Sequence, residues 1–239
     1  MLPTHAGIIS PRQIGTLRKL EKIVEDPVQR HPTRGEQLDI LATLIADTAG
    51  RGQTVLEFGC GIGYVAHLIL EKRPDLNIVG VDRKGDALQQ AEDMLPAERF
   101  TAIEGDLEAI GDIPIPERAY GAIFTALTFH DLPDPAKQAV IGAAAALLAP
   151  GGVFMLYDRL RLDEPSLFPL QQSIWSRIER VHGRGMRTAD TFEAYQTDLG
   201  TDNRPARLAD YLEWFPAAGL APQVLHLHGN VALIGGAKA

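Results

Sequence analysis

Three glycines at alternating positions, Gly59, Gly61 and Gly63, follow directly on an apolar run in VLEFGCGIGYVA. A turn without side chains lets a ligand approach the backbone closely, and the amides that open the next helix can meet it. The spacing is G-x-G-x-G, whereas a dinucleotide fingerprint needs its third glycine at residue 64, where this chain has Tyr64. Glu57, two positions before the first glycine, puts a negative charge at the strand end that repels pyrophosphate and attracts ammonium or sulfonium. Asp82 closes a second apolar run, NIVGVDRKG, where a carboxylate can accept hydrogen bonds from both ribose hydroxyls. Asp106 and Leu107 end a third run, FTAIEGDLEAI, where they can meet the amino group and the face of an adenine. Together these residues are suited to a cationic nucleoside.

A second group could handle protons. FTALTFHDLPD places His130 and Asp131 at the end of a fourth strand-like run. There His130 could take a proton near neutral pH with Asp131 orienting it, or it could line the pocket or cap the next helix. His226 and His228 alternate within a strand and share one face, as a solvated edge or as two ligands of a metal needing a third. Cys60, the single cysteine, excludes an intramolecular disulfide and reads as a small buried filler inside the glycine turn.

The elements that must position these groups follow from periodicity. Ser10-Pro11 opens a helical pattern carrying Leu17, Leu20 and Val24, and Thr33 to Glu36 reads as a capping box before Leu38, Leu41 and Ile45. Strands are expected near 53–58, 77–82, 100–104, 119–126 and 151–158, with helices near 63–72, 85–94 and 134–149 between them. Strands separated by helices imply parallel pairing with right-handed crossovers, hence an α/β, doubly wound sheet. The final runs, joined at Gly229-Asn230, leave no room for a crossover and must form an antiparallel hairpin. Residues 159–205 fit neither pattern and read as a helical insertion, with Leu167, Leu170, Ile174, Ile178 and Val181 on one stripe and Phe168 and Trp175 beside it.

Composition narrows the function classes. A chain of 239 residues, 45% hydrophobic, can bury a sizeable core, and a net charge of −8 argues against a nucleic-acid partner. The start, MLPTHAGIISPRQ, lacks the pattern of an export signal, and no run of apolar residues is long enough to span a membrane, so a soluble cytoplasmic protein is expected. Across residues 159–187 six arginines, Arg159, Arg161, Arg177, Arg180, Arg184 and Arg187, face three acids, an excess that suits a carboxylate or phosphate on a substrate or an ordinary solvated helix face.

From about Gln53 to Asp158 the sequence resembles the class I S-adenosylmethionine-dependent methyltransferases, in the small-molecule branch that includes quinone C-methyltransferases. VLEFGCGIG is similar to the first motif of that family, VGVDRK to its second, EGDLE to its adenine-binding acid, and LLAPGGVFMLYD to its Pro-Gly-Gly turn and fifth strand. The resemblance implies a Rossmann-like seven-stranded sheet with a reversed last strand, N-terminal helices over residues 1–50 and a lid formed by the insertion, all in one domain spanning 1–239. It also implies S-adenosylmethionine as cofactor. Glu57 and the Gly59, Cys60, Gly61 and Gly63 turn would face the methionyl part, Asp82 the ribose, Arg83, Asp106 and Leu107 the adenine, with Thr125 a further contact and His130 the catalytic candidate.

Thr125-Ala126-Leu127-Thr128 stands where the amino methyltransferases of adenine and glutamine carry an Asn/Asp-Pro-Pro-Tyr/Phe turn, so acceptors of that kind are not expected. Asp158 lacks the Asp-Asn pair of the magnesium-dependent catechol type, so no metal is expected. The implied activity is methyl transfer to an O, N or C atom of a small, in some cases anionic, acceptor. Methylation of a protein or RNA, and a non-catalytic cofactor-binding regulator, are the other readings, with nicotinamide chemistry last.

Overall fold

A computed structural model describes residues 33–116, 119–182, 189–200 and 203–239. The helical pattern that begins at Ser10 lies outside the described residues. The first described helix, α1 (Arg34–Thr48), buries Leu38, Leu41 and Ile45, the face its spacing implies. The capping box at its start does not form. Thr33 makes no side-chain cap, and its hydroxyl instead accepts from Gln37 Nε2 at 2.6 Å.

β1 (Thr54–Phe58), α2 (Tyr64–Lys72), β2 (Asn77–Asp82), α3 (Gly85–Met94) and β3 (Phe100–Glu104) follow in strict alternation. β4 (Tyr120–Ala126), α4 (Asp134–Leu147) and β5 (Leu148–Arg159) continue it. β5 starts at Leu148 rather than near 151, because Leu148 already pairs with Tyr120 and the Pro-Gly-Gly stretch is absorbed as an irregularity before Val153 pairs with Ala122. The insertion then contributes α5 (Phe168–His182) and α6 (Phe192–Asp198), and α7 (Leu208–Ala217), β6 (Leu220–His228) and β7 (Val231–Lys238) complete the fold.

The seven strands lie in the order β3-β2-β1-β4-β5-β7-β6. β7 runs antiparallel to both β5 and β6, as the closing hairpin requires. One apolar layer packs α1, α2 and α3 on one face, and a second packs α4 and α7 on the other. Between β1 and β4 the chain departs in opposite directions, which opens a crevice at the carboxyl ends of those strands.

The insertion is helical, and of its apolar stripe only Ile178 is buried. Leu167, Leu170, Ile174 and Val181 are exposed, while Phe168, Trp175 and Ile178 are buried. The helical period admits either face, and the larger rings decide, since they bury more apolar area. Phe168 packs with Trp175, Phe192 and Tyr195, and Trp175 Nε1 donates to Asn230 Oδ1 at 3.3 Å. The insertion is thereby fastened to the β6–β7 turn.

Candidate functional site

A cavity of about 380 Å³ lies at the carboxyl ends of β1, β2 and β4. The glycine turn forms its floor. Gly59 sits at φ +72°, and a Cβ there would fall 2.2 Å from the Thr128 hydroxyl, so the β1 and β4 termini can meet only with glycine at this position. Gly61, at φ +51°, would place a Cβ with no other atom within 4 Å and faces the open cavity, while its amide donates to Asp82 Oδ2 at 2.7 Å. Gly63 lies outside the cavity wall. It precedes α2 in a left-handed conformation and packs against Ala91 and Leu95.

Glu57, Asp82 and Asp106 all line the cavity, with Arg83 and Leu107. Glu57 is 1% exposed and its Oε2 has no hydrogen-bond partner. Burial, and then the charge of Asp82, push its carboxyl well above the ordinary glutamate value. A cationic ligand would relieve both effects. Asp82 accepts from the amides of Gly61 and Lys84, which holds its carboxylate at the strand end. Asp106 accepts from the Glu108 amide at 3.0 Å and caps the short 3-10 turn that begins at Leu107. Cys60 also lines the wall, and its thiol is pushed up by burial and by the Glu57 and Asp82 carboxylates, which keeps it neutral.

Two anticipated contacts stand elsewhere. Thr125 is fully buried and donates to the Phe58 carbonyl at 2.8 Å, joining β4 to β1 behind the cavity. His130 is 8% exposed and absent from the cavity wall, whereas Asp131 and Leu132 belong to it. Its Nδ1 lies 2.6 Å from Asp158 Oδ1, and its backbone amide donates to Asp158 Oδ2 at 2.7 Å. The residue that orients the ring is therefore Asp158 from β5. Asp131 lies 3.3 Å from the other ring nitrogen. Burial alone would raise the Asp158 carboxyl, but the His130 charge and the hydrogen bonds from His130 and Arg159 outweigh it and hold the group below its ordinary value.

Sequence reasoning missed several wall residues. Arg34 and Leu38 come from α1, and Lys84 sits beside Arg83. Leu127 also lines the wall at φ +55°, a left-handed conformation rare for leucine, fixed by its amide donating to Tyr157 O at 2.8 Å. A non-glycine residue in such a state cannot be read from a sequence.

Among the described residues, none of the insertion lines this cavity. The insertion's helix α5 is anchored at the β6–β7 turn by the Trp175 Nε1 to Asn230 Oδ1 hydrogen bond. Among the described residues, Arg161, Arg177 and Arg180 are not part of the cavity wall, and its cations are Arg34, Arg83 and Lys84. The rings of His226 and His228 stack with centroids 6.4 Å apart, and no group of three or more potential metal-ligating side chains is found among the described residues.

A 3-2-1-4-5-7-6 sheet with a reversed seventh strand, its carboxyl edge lined by a glycine turn and three acids, is the class I methyltransferase fold. Residues 55–152 match the family model described as a methyltransferase domain. It is 32% identical over 130 residues to a trans-aconitate 2-methyltransferase of Rhodopseudomonas palustris, covering 54% of this chain and 46% of that protein. It is 28% identical over 172 residues to a carboxy-S-adenosyl-L-methionine synthase of Chromohalobacter salexigens, covering 68% of this chain and 60% of that protein. The trans-aconitate relatives are thus matched over less than half their length. An O-methyltransferase family protein from Burkholderia thailandensis shares the fold with TM-score 0.64 at 17% identity, over 95% of this chain and 69% of that one. No described helix is long and apolar enough to cross a membrane.

Proposed function

We propose that this protein transfers a methyl group from S-adenosylmethionine to a small-molecule acceptor in the cytoplasm. The observation that carries the reading is the unpartnered Oε2 of buried Glu57 in the wall of a cavity whose floor is open at Gly61. A carboxylate oxygen kept without a partner in that position costs stability, and a ligand cation offsets the cost. The residues present suit the cofactor: Glu57 and the Gly59 to Gly61 backbone for the methionyl end, Asp82 for the ribose, and Arg83, Asp106 and Leu107 for the adenine. Bound there, S-adenosylmethionine would supply an electrophilic methyl group on a sulfonium. The chain's own work is then to hold the acceptor in line, exclude water and take up a proton where the acceptor has one to lose.

Arg34, Arg83 and Lys84 give the cavity a cationic side, and several relatives are named for trans-aconitate, so small anionic acids are the first acceptors to try. The net charge of −8 supports a small molecule over a nucleic acid. The test is calorimetry with S-adenosylmethionine up to millimolar concentration, followed by transfer of labelled methyl into the small-molecule fraction of a cell extract. Binding with a labelled product supports the reading, and absence of binding removes it.

A further inference from the structure

We propose that Asp131 is the group that meets the acceptor and takes its proton, and that His130 and Asp158 act behind it as positioning residues. This rests on the methyltransferase reading of the cavity. Asp131 lines the cavity with 45% of its side chain exposed, while the His130 side chain is 10% exposed and that of Asp158 1%. The three form a row running from the core to the cavity.

Asp158 is fixed by three donors, the His130 ring and the amides of His130 and Arg159. A carboxylate can only accept, so Nδ1 of His130 carries a proton toward it. Nε2 then faces Asp131 Oδ1 at 3.3 Å. With Nε2 unprotonated, its lone pair and the Asp131 carboxylate face each other, and one proton taken from an acceptor can be shared between them. Asp131 presents this proton acceptor at the cavity wall, with His130 behind it.

The charges around it are disposed to keep it there. Arg204 donates to the Asp131 carbonyl at 2.6 Å and lies 3.6 Å from Glu108. Lys137 is fully buried and donates to Leu132 O, Asp134 Oδ1 and Arg204 O. Each cation thus has a carboxylate of its own. In the step itself, the acceptor atom bonds to the methyl carbon as the carbon–sulfur bond breaks and sulfur keeps the electron pair. The acceptor's proton passes to Asp131, with Nε2 of His130 sharing it before release to water.

The acceptor class this wall takes is one that presents a hydroxyl, or another donor that becomes acidic on methylation. Three readouts test this on the full chain. In Asp131→Asn, labelled-methyl transfer into the small-molecule extract should fall by about 100-fold or more near pH 7, with affinity for S-adenosylmethionine within about threefold and the deficit shrinking as pH rises. Asp131→Glu should recover part of the rate, and His130→Gln should lose less than Asp131→Asn. Independently of activity, ring ¹⁵N spectra of His130 at fixed pH should show the Nε2 signal displaced by Asp131→Asn while Nδ1 keeps its hydrogen-bonded proton. Retained transfer in Asp131→Asn, a loss that follows cofactor affinity, or an unmoved Nε2 signal overturns the proposal. A wild-type protein that labels nothing would count against the methyltransferase reading instead, and the ring spectra would still decide the coupling.

Discussion

The Tyr157 hydroxyl donates to Gln37 Oε1 at 2.6 Å, which ties the end of β5 to the first turn of α1. Gln37 passes the contact on to Thr33, and its neighbours Arg34 and Leu38 form part of the cavity wall. The Tyr157 carbonyl meanwhile accepts the amide of Leu127 on the facing wall. One residue therefore fixes both sides of the cavity. Tyr157→Phe should leave a buried amide oxygen unpaired and cost about 1–3 kcal/mol in urea unfolding. It should also weaken cofactor binding, read by calorimetry.

Glu57 should trade stability for binding. Because its folded-state carboxyl is raised, the folded protein holds the proton more tightly than the unfolded chain. Stability of the ligand-free protein then falls as pH rises above the ordinary glutamate value toward the raised one. Glu57→Gln should flatten that decline and raise the melting temperature near neutral pH. A cation prefers the ionised form, so wild-type affinity for S-adenosylmethionine should rise with pH over the same window. The variant should bind about 10 to 100 times more weakly.

The two cavity-side glycines should fail differently. Gly59→Ala drives a methyl into the Thr128 side chain and should destabilise the fold by more than about 2 kcal/mol. Gly61→Ala meets no protein atom and carries mainly the strain of its positive φ, about 1 kcal/mol, while placing a methyl where the ligand would lie. Denaturant midpoints beside calorimetric affinities separate the two: the first variant should lose stability most, and the second binding.

Much of this site is legible in the sequence because its parts are local. Glu57, Asp82 and Asp106 each end a strand or follow closely on one, so a strand boundary locates the side chain. Gly63 and Thr125 stand in the same short segments but point into the packing against α3 and β1, a direction that the motif spacing does not encode. His130 is legible as a proton-handling residue, yet its partner Asp158 lies 28 positions away on another strand and adjoins it only through sheet pairing. The insertion is legible as helical, but its spacing allows two faces, and ring packing around Phe168 chooses between them. Arg34 enters the wall through the docking of a whole helix, for which no local signal exists.

The buried His130–Asp158 pair should govern acid sensitivity. With its folded value depressed, the Asp158 carboxyl contributes stability that is complete above the ordinary aspartate range and is lost as pH falls through the lower folded value. Asp158→Ala strips the acceptor from three donors and should cost about 3–5 kcal/mol at pH 7. Urea titrations between pH 7 and pH 3 should show the variant's penalty shrinking toward the acid end.

Whether the Glu57 cavity binds a cationic methyl donor and uses it is tested most directly by calorimetric titration of the full chain with S-adenosylmethionine, beside Glu57→Gln. Labelled-methyl transfer to small acids is followed in the same preparation. The expected result is saturable one-site binding by the wild type, binding at least about tenfold weaker in the variant, and a labelled small-molecule product. An absence of heat at millimolar cofactor, or equal affinity in the two proteins, would contradict it.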